Sequence, residues 1–231
     1  AELPTGAGGI VSIYPVDTRY LLIGTLLGQV YRLTLANSSV SLVLQMTTQG
    51  AYPRKWSYAG YGDLVFVGEY GRKNGEDNAR RIYMSENAGA SFAEVYQMSG
   101  EEGTHVHKLL YNPTTQYLYI SQGDLIHSLL KLAPPYTSGV ELWDDIQPTD
   151  GLLFDGYILW AQDSNPYGVY KHNTADDSRE LIFDLQAEYP DLLEVCKALY
   201  LGEDDVVYFA TEPDIYPTRR GALWRAAPPC T

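Results

Sequence analysis

A unit of about 40 to 55 residues repeats along this chain, and that period limits its possible folds more than any other feature. Each unit has four short apolar or alternating runs, separated by turns that carry Gly, Asp, Asn or Pro. Ser12–Pro15 corresponds to Lys108–Pro113, and Gly156–Asp163 corresponds to Asp205–Glu212. Apolar residues almost never repeat at helical spacing, so the pattern predicts an all-β chain. The one exception is Leu185–Leu193, where we expect a helical turn.

Four short strands at this period are typical of a β-propeller blade. We therefore predict a single-domain β-propeller of about five four-stranded blades, at roughly 8–48, 49–100, 101–148, 149–193 and 194–231. The last unit ends in Ala-Ala-Pro-Pro-Cys-Thr, and proline cannot donate to a strand ladder. The last blade is accordingly expected to be incomplete, or the chain to be a fragment of a larger propeller.

The net charge of the chain limits the classes of partner that it can bind. The formal net charge of −13 and the pI of about 4.6 argue against a nucleic-acid partner, because phosphate backbones are bound by Lys and Arg fields. No apolar run is long enough to insert into a membrane.

Cys196 and Cys230 lack the spacing of a metal or redox motif, so the sequence allows either one disulfide or two separate thiols. The chain begins at Ala1 without a leader, which indicates a mature product or an excised piece.

One hairpin carries a recognisable motif within Arg81–Phe92. Its sequence resembles the Asp-box, or BNR repeat, of sialidase-like propellers, with Ser85, Asn87, Gly89 and Phe92 in the four motif positions. Asn87 stands where that motif has Asp. A polar side chain there can close the turn on backbone amides, while glycine accepts a positive φ. The resemblance implies a propeller fold and implies nothing about activity.

A wider likeness covers about half of the chain. Gly62–Gly71, His105–Pro113 with Ile120–Asp124, Asp150–Leu152 and Trp160–Tyr167 are similar to uncharacterised sialidase-like BNR-repeat proteins. The resemblance implies the fold and a ligand site, without sialidase chemistry. Consistent with that, the chain has no Arg-Ile-Pro segment and no persuasive arginine triad, its only candidates being Arg54, Arg219 and Arg220.

The expected site lies at one mouth of the propeller channel. In a standard blade the first strand leaves one face of the disc and the second strand returns to it, so starts of first strands meet ends of second strands. This rule, together with the aromatic residues near the rim, predicts the following ligand-binding residues: Arg54, Trp56, Glu69, Tyr70, His105, His107, Asp163 and Glu212. The polar loop Tyr70–Arg80 could cover the same mouth.

Two histidines are the most specific members of this set. His105 and His107 are two positions apart on a strand, so both side chains face one side. They could act as a base, a metal ligand or hydrogen-bond donors, or they could simply be polar residues that line a wet channel. His127 and His172 fall on outer strands, and we expect them at the surface.

The carboxylates at this mouth allow two interpretations. Asp124, Asp163 and Glu212 could together bind a calcium ion, or each could cap the backbone of its own turn. Glu69 is less easily explained as a turn residue and is the first choice for a ligand contact. Aromatic residues near the rim could stack on sugar rings or belong to the blade core, namely Trp56, Tyr58, Tyr70, Trp160 and Tyr167.

Two classes of function remain open. The first is a non-catalytic propeller, extracellular, secreted or on a virion surface, that binds a glycan or a surface protein. The second is a glycan-active enzyme at the same mouth, with Glu69, His105, His107 and Asp124 as catalytic candidates. A hydrolase would pair two carboxylates, whereas a lyase would use a histidine base with Arg54 bound to a uronate. No serine-hydrolase, phosphate-loop or dinucleotide motif is present.

Overall fold

A computed structural model describes residues 2–48, 50–71, 79–99, 105–123, 126–188, 194–204, 206–213 and 222–226. Nearly all regular structure in these residues is β-strand. The chain divides into two compact units, Ala1–Glu141 and Leu142–Thr231. Within the described residues, the strands form five antiparallel sheets, each made of strands that are consecutive in the chain.

The described residues of the first unit form three four-stranded sheets, and the boundary between the units falls within the last strand of the third. The first sheet consists of β1 Ile10–Pro15, β2 Tyr20–Thr25, β3 Gln29–Thr34 and β4 Ser39–Gln45. A short 3-10 helix, Lys55–Ser57, precedes the second sheet, which consists of β5 Tyr58–Tyr61, β6 Leu64–Gly68, β7 Arg81–Ser85 and β8 Ala93–Gln97. The third consists of β9 His105–Asn112, β10 Tyr117–Gly123, β11 Ser128–Leu132 and β12 Gly139–Trp143.

The second unit holds a four-stranded and a three-stranded sheet among its described residues. The four strands are β13 Pro148–Phe154, β14 Tyr157–Gln162, β15 Gly168–Asn173 and β16 Arg179–Asp184. The helix α1 Leu185–Glu188 follows, at the position where the sequence predicts a helical turn. The last sheet consists of β17 Glu194–Leu201, β18 Val207–Pro213 and β19 Leu223–Ala226.

Alternating side chains of the second strands join neighbouring sheets into continuous cores. In β6, Phe66 packs toward the third sheet, whereas Val65 and Val67 pack toward the first. All three are essentially inaccessible to water, and burial of each side chain contributes about 1.5 to 3 kcal/mol. The same alternation in the second unit places Leu159 and Ala161 against the sheet of β17 to β19. A strand buried on both faces explains why these runs are almost wholly apolar.

The Asp-box-like hairpin has the turn that its sequence predicts. Asn87 Oδ1 accepts hydrogen bonds from the amides of Ala90 and Ser91, at 3.1 and 3.0 Å, and from Ser85 Oγ at 2.8 Å. Gly89 has φ +75°, and its amide donates to Ser85 Oγ at 2.9 Å. Phe92 packs against the core between the first two sheets. The hydrogen bonds therefore close this turn as the sequence predicts, with the amide oxygen of Asn87 as the acceptor.

The observed sheets agree with an all-β propeller, since five groups of consecutive strands appear in the order expected of blades. Residues 227–231, which carry the Pro-Pro pair and Cys230, lie outside the described residues. Cys196 is fully buried on β17. None of the helices in the described ranges has the length and apolarity needed to cross a bilayer.

Candidate functional site

Five of the predicted ligand-binding residues lie together in the first unit. They come from the segment before β5, the residue that follows Glu69 after β6, and the start of β9. Ring and cation contacts link them into one group with Tyr52, which the sequence did not single out. We call this group the aromatic–histidine cluster: Tyr52, Arg54, Trp56, Tyr70, His105 and His107.

A short backbone pairing brings the two tyrosines of the cluster together. The Tyr52 amide donates to the Tyr70 carbonyl at 2.8 Å, and the Tyr70 amide donates back to the Tyr52 carbonyl at 3.0 Å. Their ring centroids are 5.7 Å apart at an interplanar angle of 67°. Gly71 follows at φ +116°, where a Cβ would lie 3.0 Å from Cε1 of Tyr52. The positive φ and the close approach of the Tyr52 ring both favour glycine at this position.

The two histidines share one side of β9, as their spacing predicts. Their ring centroids are 4.7 Å apart with an interplanar angle of 21°, and the Tyr70 centroid lies 4.1 Å from that of His105. Only 2% of His105 and 9% of His107 is exposed. The His107 ring lies against Gly123 of β10, where an added Cβ would come within 2.5 Å of it. The backbone of β10 therefore forms part of the wall that holds these rings.

A β-bulge lies near the start of β1, β9, β13 and β17. The register shifts leave Val11, His107, Thr149 and Lys197 without a directly opposite residue in the second strand. Bulges bend a strand and re-aim the bulged side chain, and they are common next to binding sites. The bulge is a position that the fold repeats. At His107 this position carries a side chain that can donate and accept hydrogen bonds.

Arg54 is the charged member of the cluster. Its guanidinium carbon lies 5.4 Å from the ring centroid of Tyr52, 5.3 Å from that of Trp56 and 4.7 Å from that of Tyr70. One terminal nitrogen, Nη2, donates to the Tyr52 hydroxyl at 3.0 Å. Such cation–π contacts are each worth about 0.5 to 2 kcal/mol, so three rings hold the guanidinium firmly.

Glu69 lies directly before Tyr70, but its carboxylate is turned into the interior. It accepts hydrogen bonds from Thr48 Oγ1 at 2.8 Å, the Tyr83 hydroxyl at 2.9 Å, the Arg81 amide at 3.2 Å and the Thr48 amide at 3.4 Å. Arg81 Nη1 lies 3.9 Å from the carboxylate, and the Glu69 side chain is 0% exposed. Burial beside this carboxylate raises the pKa of Tyr83 to about 12. This arrangement favours a supporting role for Glu69 behind the cluster.

Two glutamines show that the Glu69 network belongs to a repeated device. Gln122 near the end of β10 donates to the Ser99 carbonyl at 3.1 Å, and Gln162 at the end of β14 accepts from the Gln147 amide at 2.9 Å. In each case a buried polar side chain at the end of a second strand binds the backbone that leads in from the preceding sheet. Glu69 makes the same connection through Thr48. Unlike the two glutamines, Glu69 has two acceptor oxygens, and these accept the four donors that converge on it.

The three other predicted carboxylates, Asp124, Asp163 and Glu212, lie outside the described side chains of the first unit. Asp163 lies in the second unit, where its amide donates to the Gln147 carbonyl at 3.2 Å. Asp124 and the side chain of Glu212 lie outside the described residues. No group of three or more His, Cys, Asp or Glu side chains suited to a metal ion occurs in the described ranges. The calcium site therefore stays a prediction.

His172 is not at the surface, so that expectation is wrong. It is 0% exposed on β15, with its ring centroid 4.7 Å from that of Trp143. Its Nδ1 accepts from Trp160 Nε1 at 3.4 Å, and its Nε2 lies 3.1 Å from Asp177 Oδ1. Aromatic side chains cover His172 on β15, the third strand of this sheet. The position of His172 in its blade did not by itself predict this cover. His127 is half-buried.

The predicted rim aromatics separate into two groups. Trp56 and Tyr70 belong to the cluster, whereas Tyr58 and Trp160 are core residues with almost no exposed surface. Tyr167 is half-buried in the second unit. Sequence reasoning missed Tyr52, although it stands two residues before Arg54 in the same segment and could have been found by that alternation.

Comparison with known proteins gives the fold and leaves the family open. No family model matches the sequence, and no curated protein matches it. The structure is similar to dihydro-heme d1 dehydrogenase NirN, solved in complex with DHE, with TM-score 0.58 and 16% identity over 88% of this chain and 41% of that one.

Two solved structures from B. thetaiotaomicron are also similar. The extracellular domain of BT4673 gives TM-score 0.62 and 14% identity over 90% of this chain and 27% of that one. A structural genomics protein of unknown function gives TM-score 0.56 and 12% identity over 87% of this chain and 52% of that one. The chain thus spans from about a quarter to about half of the structures it resembles.

The fold of the chain is a β-propeller, because both the propeller-type neighbours and the five described sheets indicate it. The BNR resemblance finds no match among family models.

Proposed function

We propose that this protein is a non-catalytic, extracellular propeller that binds a glycan at the aromatic–histidine cluster. One observation carries the proposal: three aromatic rings surround Arg54 within 5.4 Å, beside two stacked histidines. An extracellular domain is also among the similar structures. The virion-surface location stays an alternative within the same class.

The chemistry of the cluster suits a sugar. Flat aromatic faces can pack on the apolar face of a pyranose ring, while imidazole and guanidinium nitrogens can donate to its hydroxyl groups. Tyr52, Arg54, Trp56 and Tyr70 are all half-buried, so part of each remains accessible. An apolar surface with a few converging polar groups is the usual character of a ligand site in proteins.

The test is a glycan array on the purified chain, in parallel with the Trp56→Ala variant. We expect wild-type protein to bind a restricted set of glycans and Trp56→Ala to lose that binding at least tenfold. Trp143→Ala is a matched control, since Trp143 is also half-buried and also lies 5.3 Å from an arginine, Arg179 in the second unit. Equal binding by wild type and Trp56→Ala would contradict the proposed site. Binding to no glycan would favour a surface-protein partner instead.

A glycan-active enzyme is the second candidate, because the Tyr70 and His105 rings lie 4.1 Å apart beside Arg54. A tyrosine and a histidine next to a cation can remove a proton adjacent to a sugar carboxylate. A hydrolase based on Glu69 finds less support, since that carboxylate accepts four internal hydrogen bonds. Mass spectrometry of every bound glycan distinguishes the two candidates: intact glycans favour binding alone, and cleaved glycans favour the enzyme.

A further inference from the structure

The second unit contains an arginine in a setting that resembles that of Arg54. Arg179 lies 5.3 Å from the Trp143 ring and 5.6 Å from the Tyr170 ring. Its two terminal nitrogens each donate to one oxygen of Asp145, both at 2.6 Å. The aromatic faces and the carboxylate together satisfy this guanidinium, and the bonded pair lowers the pKa of Asp145. Rings plus a forked carboxylate thus form a complete arginine site in this chain.

Arg54 has the rings of such a site without the carboxylate. Among the described residues, no Asp or Glu lies within ion-pair distance of its guanidinium, although the chain carries 29 acidic residues against 16 Lys and Arg. Its Nε is buried and has no hydrogen-bond partner within the described ranges. Of its terminal nitrogens, only Nη2 donates to a described residue, the Tyr52 hydroxyl, so the guanidinium retains donors for a further acceptor.

We propose that the ligand of the aromatic–histidine cluster is an acidic sugar whose carboxylate binds Arg54. This inference rests on the proposed function and adds the chemical class of the glycan. The planar guanidinium matches a carboxylate in a two-bond fork, as it does at Asp145, while Tyr52, Trp56 and Tyr70 provide apolar faces for the pyranose ring. A uronic acid unites these two features in one residue.

The test uses isothermal titration calorimetry of the full chain with three uronic-acid oligosaccharides, from polygalacturonate, alginate and hyaluronan. Each is titrated beside its methyl ester, which keeps the sugar backbone and removes the charge. We expect at least one acid form to bind, and its methyl ester to bind at least tenfold more weakly. Arg54→Gln should weaken binding of the acid form by a similar factor and leave binding of the ester unchanged.

Arg32→Gln is the matched control for the loss of one positive charge. Arg32 belongs to the same unit and lies 3.5 Å from a single ring, that of Tyr20. We expect this variant to bind the acid form as wild type does. Urea unfolding of all three proteins shows whether Arg54→Gln retains its fold, and Arg54→Lys provides a variant that keeps the charge without the fork.

Three results would overturn the inference. They are equal affinity for an acid and its ester, unchanged affinity in Arg54→Gln, and no binding of any uronic-acid probe. In the last case dextran, xylan and laminarin are titrated as neutral probes. Binding of a neutral glycan that is lost in Trp56→Ala would keep the proposed function while rejecting the acidic ligand. If the neutral probes also fail to bind, both the acidic ligand and the proposed function are rejected.

Discussion

Thr48, Arg81 and Tyr83 all direct hydrogen-bond donors at the buried carboxylate of Glu69. Because the next residue is Tyr70, this network fixes the backbone on which one ring of the cluster stands. Glu69 therefore positions the site from behind, at the scale of a single side chain.

We predict that Glu69→Ala lowers the free energy of unfolding by about 3 kcal/mol, because four donors lose their acceptor in a water-free interior. Glu69→Gln retains one acceptor oxygen and the side-chain shape, so it should cost about 1 kcal/mol. Urea unfolding followed by fluorescence measures both values. Equal stability of Glu69→Ala and wild type would contradict the network.

At the scale of single residues, the sequence predicted most members of the aromatic–histidine cluster but not the hydrogen-bond network of Glu69 behind it. Arg54, His105 and His107 follow from the rule that starts of first strands meet ends of second strands. Trp56 and Tyr70 follow from their aromatic side chains near the same rim. The sequence could not predict the orientation of Glu69, since a carboxylate at a strand end looks the same whether it faces a ligand or the preceding sheet. Its interpretation as a direct ligand contact stays a prediction that the network does not favour.

Among the elements, the β7–β8 turn is the one whose conformation depends most on named side chains. Asn87 Oδ1 accepts from two backbone amides, and Asn87 Nδ2 donates to Ser91 Oγ at 3.0 Å. Gly89 has a positive φ, and a Cβ there would lie 2.9 Å from Cδ2 of Leu22. The turn is thus closed by hydrogen bonds and packed against the first sheet.

Asn87→Ala should destabilise the protein by about 1 to 2 kcal/mol, because the amides of Ala90 and Ser91 lose their acceptor. Asn87→Asp keeps that acceptor and restores the residue usual in the motif, so its stability should stay within about 0.5 kcal/mol of wild type. Thermal unfolding by circular dichroism compares the two variants. A loss as large in Asn87→Asp as in Asn87→Ala would show that the acceptor is not what matters.

The strand pattern predicted the elements better than their irregularities. Alternation and turn residues place strands close to their observed bounds, whereas the bulge at His107 has no sequence signature in its own strand. Bulges arise from pairing with the second strand, which a single strand's pattern does not encode. The bulges at Val11, Thr149 and Lys197 show that the feature is a property of the repeat.

For the whole molecule, the period of about 40 to 55 residues was sufficient to predict the fold class. It is sufficient because a blade cannot bury both faces alone, and stacked units of one length then share a continuous core. The number of domains stays a prediction, since the chain divides into two compact units. His172 was misplaced because Trp143, from the earlier strand β12, packs against its ring, and the position of a residue in its blade does not encode that contact.

Alkaline pH should destabilise the molecule through Cys196. Burial raises the pKa of this thiol from 9.0 to about 12, with the Asp150 carboxylate as a further cause. Below pH 9 both states keep the proton. Between pH 9 and 12 the unfolded chain loses it and the folded chain retains it, so the free energy of unfolding falls by about 1.4 kcal/mol per pH unit.

Urea unfolding at pH 8 and at pH 10.5 measures this fall, and the Cys196→Ala variant is the control that lacks the thiol. The pH dependence should be smaller in Cys196→Ala by the contribution of that one group. Identical pH dependence in the two proteins would mean that the thiol titrates alike in the folded and unfolded states.

The central claim, that the aromatic–histidine cluster binds the ligand, is tested most directly by NMR of the histidine rings. The chain has four histidines, two in the cluster and two outside it, so each signal can be assigned with single His→Gln variants. On titration with a glycan that binds in the array, we predict shifts of the His105 and His107 signals while those of His127 and His172 stay in place. Saturable binding that leaves His105 and His107 unchanged would contradict the account.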